Sequence, residues 1–154
     1  MFTHLDENHR GQMVDISEKD ISQRTALARG RIRLKQETVD AIIEMKMKKG
    51  DVLAIAQVAA IQAAKKTPDW ILMAHPILLT GVHVDFHFEG RLLYCETRVS
   101  CQGKTGVEME ALTACSAGLL TVYDMCKSMD KSMVIEEICL MKKTGGKSGD
   151  YERA

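Results

Sequence analysis

The chain has 154 residues, 45% of them hydrophobic and 27% charged, which suits one globular domain (1–154) with a proper core and excludes a disordered or fibrous chain. Its 21 basic and 21 acidic residues cancel, so no global field draws it to nucleic acid or to an anionic membrane, and any anion site must be built locally. No apolar run is long enough to span a bilayer, the polar start MFTHLDENHRGQ has no signal-like apolar core, and the cysteines (Cys95, Cys101, Cys115, Cys126, Cys139) form no C-x-x-C pair; together these point to the reducing cytoplasm.

In chain order, residues 1–23 are polar with one short insert, Met13-Val14-Asp15-Ile16-Ser17, and predict an extended or partly ordered arm. Ala28 to Leu34 alternates Arg29, Arg31 and Arg33 with Gly30, Ile32 and Leu34, a half-buried strand whose arginine row is either a wet sheet face or a grip for phosphate. Glu37 to Met47 has helical spacing and stops at Lys48-Lys49-Gly50. Asp51 to Lys66 is apolar nearly all round, so it predicts a central buried helix ended by Thr67-Pro68-Asp69.

Trp70 to Leu79 is apolar but interrupted by His75-Pro76, and the proline forbids a regular strand or helix interior, so an ordered loop is expected. Histidine titrates nearer neutrality than any other side chain, so one placed where water is scarce suits proton transfer or anion binding, although a hydrogen-bonded structural histidine gives the same pattern. Val82 to Phe88 and Leu93 to Cys101 alternate on either side of Glu89-Gly90 and form a hairpin. His83, Asp85 and His87 share its outer face, a spacing that any polar strand face gives, and no metal is assigned there.

Lys104 to Lys131 predicts the longest helix, opened by a Thr105/Glu108 capping box. One of its faces is apolar; the opposite line, Glu110, Thr113, Ala117, Thr121, Asp124 and Lys127, mixes small residues with charges and reads as a surface that meets something other than water. Met133 to Lys142 is the last strand, followed by a mobile tail, 144–154. Within the tail, Thr144 to Gly149 (TGGKSG) ends like a phosphate-binding P-loop, but its first glycine position falls at Met141 and too few residues follow for the required helix. The order strand, helix, helix, loop, strand, strand, helix, strand is a βαββαβ pattern with one extra helix. It predicts an α+β, ferredoxin-like fold: a four-stranded antiparallel sheet with helices on one face.

The blocks Met13-Val14-Asp15, Lys49-Gly50-Asp51-Val52, His75-Pro76, GKTGVEMEALTA (103–114), YDMCK (123–127) and GGKSG (145–149) together resemble the MoaC family, the cyclic pyranopterin monophosphate synthases of molybdenum-cofactor biosynthesis. The resemblance covers nearly the whole chain. It implies a lyase-type rearrangement of a cyclised dihydro-GTP, (8S)-3′,8-cyclo-7,8-dihydroguanosine 5′-triphosphate, into cyclic pyranopterin monophosphate with release of diphosphate. Asp124 would be the catalytic acid/base with Lys127 one turn away, and Arg24, Lys49, Met73, Ala74, His75, Met109, Glu110 and Lys143 would bind the substrate. Glu108 belongs to that set as well, although the capping box also accounts for it. The family usually has Cys-His-Pro where this chain has Ala74-His75-Pro76, which argues against a required thiol or metal beside the histidine.

No cofactor is implied, with Mg²⁺ carried by the triphosphate left open. The implied assembly is a homo-oligomer, a hexamer built as a trimer of dimers, with pockets at subunit interfaces. Glu110 and Asp124 lie fourteen residues apart on one helix, about 21 Å at 1.5 Å per residue. Either the helix lies along an extended triphosphate nucleotide, or the Glu110 end of one copy meets the Asp124 end of another. The small-residue line between them and the interface pockets that the resemblance implies favour the second, a site shared between subunits with Lys49 and Asp124 from different chains. The contrasting reading is a non-catalytic anion- or nucleotide-binding assembly module, since fold alone fixes no function. A carboxylate one turn from the lysine, where it would repel phosphate, distinguishes the two.

Overall fold

The computed structural model describes residues 2–154. Its centre is one antiparallel sheet in the order β2-β3-β1-β4-β5, made by β1 (Ser22–Arg33), β2 (Leu79–Glu89), β3 (Leu92–Gly103), β4 (Val134–Thr144) and β5 (Tyr151–Glu152). Helices α1 (Gln36–Ile43), α2 (Val52–Lys65), the single turn α3 (Thr67–Trp70) and α4 (Glu108–Cys126) complete the chain, with α2 and α4 packed on each other and on the sheet. The α+β class and the antiparallel sheet follow the sequence expectation, but the sheet has five strands and not four. After β4 the chain reverses through glycines and lays Glu152 and Tyr151 against Lys142 and Lys143, so the expected tail carries the fifth strand.

Period-two alternation decides which face of β1 is covered. Ala26, Ala28 and Ile32 are buried, and with Leu93, Cys95, Val99 and Cys101 of β3 they form the floor on which α4 sets Ala111, Ala114, Cys115, Leu119 and Val122. Gly30 lets the helix approach: a Cβ there would stand 2.8 Å from both Leu119 Cδ1 and Ile138 Cγ1. The opposite face is charged. Arg31 pairs with Glu136 at 2.8 Å and with Glu137 at 3.0 Å, and Arg33 also reaches Glu136. Consecutive strand residues normally point to opposite faces; a register shift opposite Arg29 to Arg31, with Glu137 at φ 58°, turns both carboxylates toward one guanidinium. Of the two readings of the arginine row, the wet sheet face is the one observed. The outer hairpin face is likewise satisfied internally, with His83 paired to Asp85 and His87 stacked on Tyr94.

Several boundaries move from their expected places. The capping box does not form: α4 starts one residue after Val107 with no side-chain cap, because Glu108 reaches Lys143 on β4 at 3.0 Å. The same helix stops at Cys126, short of Lys131: Met129 N and Asp130 N close a turn on the Cys126 carbonyl, and the Asp130 side chain then reaches across to α1. That buried carboxylate accepts from Lys35 N and Thr38 Oγ1 at the start of α1, and from Ser132 N and Oγ. Helix α2 is capped by Asp51, which accepts from Ala54 N, but it is not buried all round: Ile55 and Val58 are exposed. No helix among the described residues is long and apolar enough to cross a membrane.

Candidate active site

The sequence-selected residues fall into two groups at opposite ends of α4. At its C-terminal end, Asp124 Oδ1 lies 2.7 Å from Lys127 Nζ, and Asp124 Oδ2 lies 3.5 Å from Lys49 Nζ. The lysine on the loop before α2 is held there by donating to the Asp124 carbonyl at 3.0 Å. The hydrogen bond from Lys127, followed by the charges of Lys127 and Lys49, holds the Asp124 carboxyl below the usual carboxylate range, while Asp124 raises the Lys127 ammonium. The resting site thus presents an ionised acceptor and a charged donor side by side. Lys49 and Asp124 meet within one chain, which overturns the expectation that they come from different subunits. Beside them an apolar hollow of about 380 Å³ is lined by Ala59, Gln62, Ala63, Lys66, Trp70, Ala117, Leu120, Thr121 and Asp124.

At the N-terminal end, Met73, Ala74, His75, Glu108, Met109 and Glu110 line a cavity of about 350 Å³. The loop holding His75 is fixed from outside: Pro76 prevents regular pairing, and His75 Nε2 lies 2.6 Å from the Val14 carbonyl of the N-terminal arm. Glu110 is 3% exposed and its Oε2 has no hydrogen-bond partner. Burial, with the neighbouring Glu108 charge adding to it, pushes its carboxyl up to about 7, so near neutrality it can hold or release a proton.

Arg24 lies on a third cavity, of about 450 Å³, with Lys19, Asp20, Ser22, Gly146, Lys147 and Ser148. Its Nε donates to the Gly103 carbonyl at 3.2 Å, and the turn passes so close over the guanidinium that a Cβ on Gly146 would collide with it. Lys143 links the second and third cavities, pairing with Glu108 at 3.0 Å and donating to Ser148 Oγ at 2.9 Å. Lys19 lines both. Sequence reasoning did not select Lys19, Ser22 and Ser148. The GGKSG block pointed at Ser148, whereas nothing in the polar arm marked Lys19 or Ser22, whose buried Oγ is also unpartnered. Among the described residues, no group of three or more His, Cys, Asp and Glu side chains is gathered as a metal ion would require.

The MoaC family model matches residues 13–146. A cyclic pyranopterin monophosphate synthase of Halalkalibacterium halodurans is 54% identical over 157 residues, covering 99% of this chain and 95% of that protein. The enzyme of the same name from Brevibacillus brevis is 55% identical over 152 residues (98% and 95% covered), and that from Peptoclostridium acidaminophilum is 52% identical over 152 residues (99% and 97%). With a family match across most of the chain and full-length relatives above half identity, the chain belongs to the MoaC family.

Proposed function

We propose that this chain is a cyclic pyranopterin monophosphate synthase, a lyase of molybdenum-cofactor biosynthesis that converts the cyclised dihydro-GTP into cyclic pyranopterin monophosphate and diphosphate. The observation that carries the reading is the Lys49–Asp124–Lys127 cluster, present in a chain about as long as, and more than half identical to, proteins bearing that name. Reopening the purine ring and closing the pterin ring both move protons. Asp124, kept ionised, accepts one; Lys127, kept charged, donates one. Forming the cyclic phosphate makes a new bond from a sugar oxygen to the α-phosphorus and breaks the bond to the β-phosphate bridging oxygen. Diphosphate takes that electron pair, and cations stabilise the charge that develops. Lys49, Arg24 and Lys143 are the candidates, and they supply locally the field that the neutral chain lacks globally.

The 350 Å³ cavity with His75, Met109 and the buried Glu110 suits the heterocycle, and the adjoining basic cavity under the GGKSG turn suits the phosphates. The chemistry calls for no redox cofactor, and Mg²⁺ arriving with the triphosphate is compatible with it. An anion-binding module without catalysis is disfavoured because Asp124 sits on both lysines that such a module would offer to phosphate.

The two groups are too far apart along one helix for one compact reacting centre, so we place the complete site between two copies, in a hexamer assembled as a trimer of dimers. The apolar strip of Ile55, Val58, Trp70 and Leu120, each at least 43% exposed, is the surface available for that contact. The four long strands and their helices we take as a ferredoxin-like single domain. The free cysteines agree with a cytoplasmic enzyme. The test is incubation with (8S)-3′,8-cyclo-7,8-dihydroguanosine 5′-triphosphate, detecting cyclic pyranopterin monophosphate and diphosphate in equal amounts. Absence of both products would reject the assignment.

A further inference from the structure

The Met13-Val14-Asp15 block has no part in the chemistry above, yet it touches a residue that does. His75 Nε2 lies 2.6 Å from the Val14 carbonyl oxygen, which can only accept, so Nε2 carries a hydrogen. The segment that supplies this carbonyl is fixed independently of the histidine. Asp15 Oδ1 accepts from Ser17 N at 2.8 Å and from Ser17 Oγ, closing a tight turn, and Lys104 Nζ donates to the Ser17 carbonyl at 2.7 Å. Val14, Ile16 and Lys19 line the same cavity as Met73, His75 and Glu110, and Gly11 comes close enough to Met73 that a Cβ there would stand 3.3 Å from its Cε.

From this juxtaposition we infer that residues 13–17 are a positioning strap: the Val14 carbonyl, held by the Asp15–Ser17 turn and Lys104, fixes His75 as its Nε2–H tautomer and leaves Nδ1 as the nitrogen open to the bound heterocycle. The two ring nitrogens are chemically distinct, and the partner of one decides what the other can do. With Nε2 tied to the strap, neutral His75 meets its ligand as a hydrogen-bond acceptor. This role rests on the reading of the cavity as the heterocycle's site, but the state of the ring can be measured without substrate.

The measurement is long-range ¹H–¹⁵N NMR of the full-length protein with ¹⁵N-labelled histidine, His75 being assigned by the loss of its signals in His75→Asn. Wild type should show the Nε2–H pattern. Asp15→Ala and Lys104→Met should both shift His75 toward averaged tautomers. They should also lower kcat by roughly tenfold or more, the cost when an oriented imidazole loses its partner in metal sites, while KM stays within about twofold. Asp15→Asn and Lys104→Arg, which keep the acceptor and the donor, should retain the wild-type pattern. Asp6→Ala, in the outer turn of the arm, should change neither ring nor rate. If Asp15→Ala does not fold, Lys104→Met decides. An Nδ1–H pattern in wild type, or His75 signals that neither variant moves, overturns the inference. A wild-type protein that shows the Nε2–H pattern but makes no product would instead sink the proposed function and leave the strap standing.

Discussion

Asp124 and Glu110 are two carboxylates on one helix whose surroundings drive them in opposite directions. Asp124 is solvated and flanked by Lys127 and Lys49, so it stays ionised throughout the neutral range. Asp124→Asn keeps the size and the hydrogen bonds but cannot exchange a proton, so kcat should fall about 10²–10⁴-fold with circular dichroism unchanged; a near wild-type rate would remove Asp124 from the mechanism. Glu110 is buried without a partner for Oε2 and is pushed up to about 7. Its folded pKa lies above its unfolded value, so the native state binds more protons between them, and stability falls as pH rises through that window. Glu110→Gln abolishes that penalty. The variant should match wild type near pH 4 and exceed it at pH 8 by roughly 1–3 kcal/mol in denaturant midpoint experiments; equal stability at both pH values would mean that water or a partner already satisfies the carboxyl. The identity of these residues was legible in the YDMCK and GVEMEALTA blocks. The coupling of Asp124 to Lys127 was legible as well, because the two are three residues apart on one helix. The burial of Glu110 and the approach of Lys49 were not, because they come from segments far away in sequence.

The elements show the same division between local and distant causes. The hairpin around Gly90 was readable because alternation and turn chemistry are local, and Asp51 caps α2 from the adjacent residue. The bounds of β1 and α4 were not. β1 begins at Ser22, well before the visible alternation, because the inward position there is filled by Arg24, whose guanidinium finds the Gly103 carbonyl across the sheet. The expected cap of α4 lost Glu108 to Lys143, and its expected last turn lost Asp130 to α1. That loss is itself a joint: one buried carboxylate caps α1 from about 95 residues away and closes the turn that follows Lys127. Burial alone would raise Asp130, but hydrogen bonds from Lys35 and Ser132 outweigh it and hold the group below the usual carboxylate range. Asp130→Ala should therefore cost about 2–3 kcal/mol, since buried donors lose a charged acceptor. It should also weaken activity through the displaced Lys127 turn. Asp130→Asn, which keeps an acceptor oxygen, should recover part of both. A loss of stability below about 0.5 kcal/mol for alanine, by thermal or urea unfolding, would mean the joint is water-filled and carries little.

At the scale of the whole molecule, the candidate site residues of one chain fall into two groups at opposite ends of α4, which the proposed assembly treats as two halves of a site. Lys49, Asp124 and Lys127 are at one end; His75, Glu110 and the basic cavity with Arg24 are at the other. Helix rise alone indicated this separation of Glu110 from Asp124, but the sequence expectation parted Lys49 from Asp124, whereas the loop carrying Lys49 folds back onto the end of α4 and joins the two within one chain. If two copies meet along the exposed strip of Ile55, Val58, Trp70 and Leu120, each joins one half to the other's complementary half. The pairing rule for complementation follows from the geometry. Asp124→Ala and His75→Ala proteins lie in different halves, so mixed dimers place both lesions in one site and leave the second intact. After subunit exchange, two inactive proteins should recover up to about a quarter of wild-type activity, because random mixing makes half of the dimers mixed and each of these carries one intact site of two. Asp124→Ala mixed with Lys49→Ala lies within one half, so every site built by a mixed dimer is damaged and activity should stay at the level of the separate variants. Native mass spectrometry establishes that exchange has occurred. Recovery in the second mixture and not in the first would show that the halves are divided between subunits differently; no recovery in either, with exchange established, would mean that each chain completes its own site.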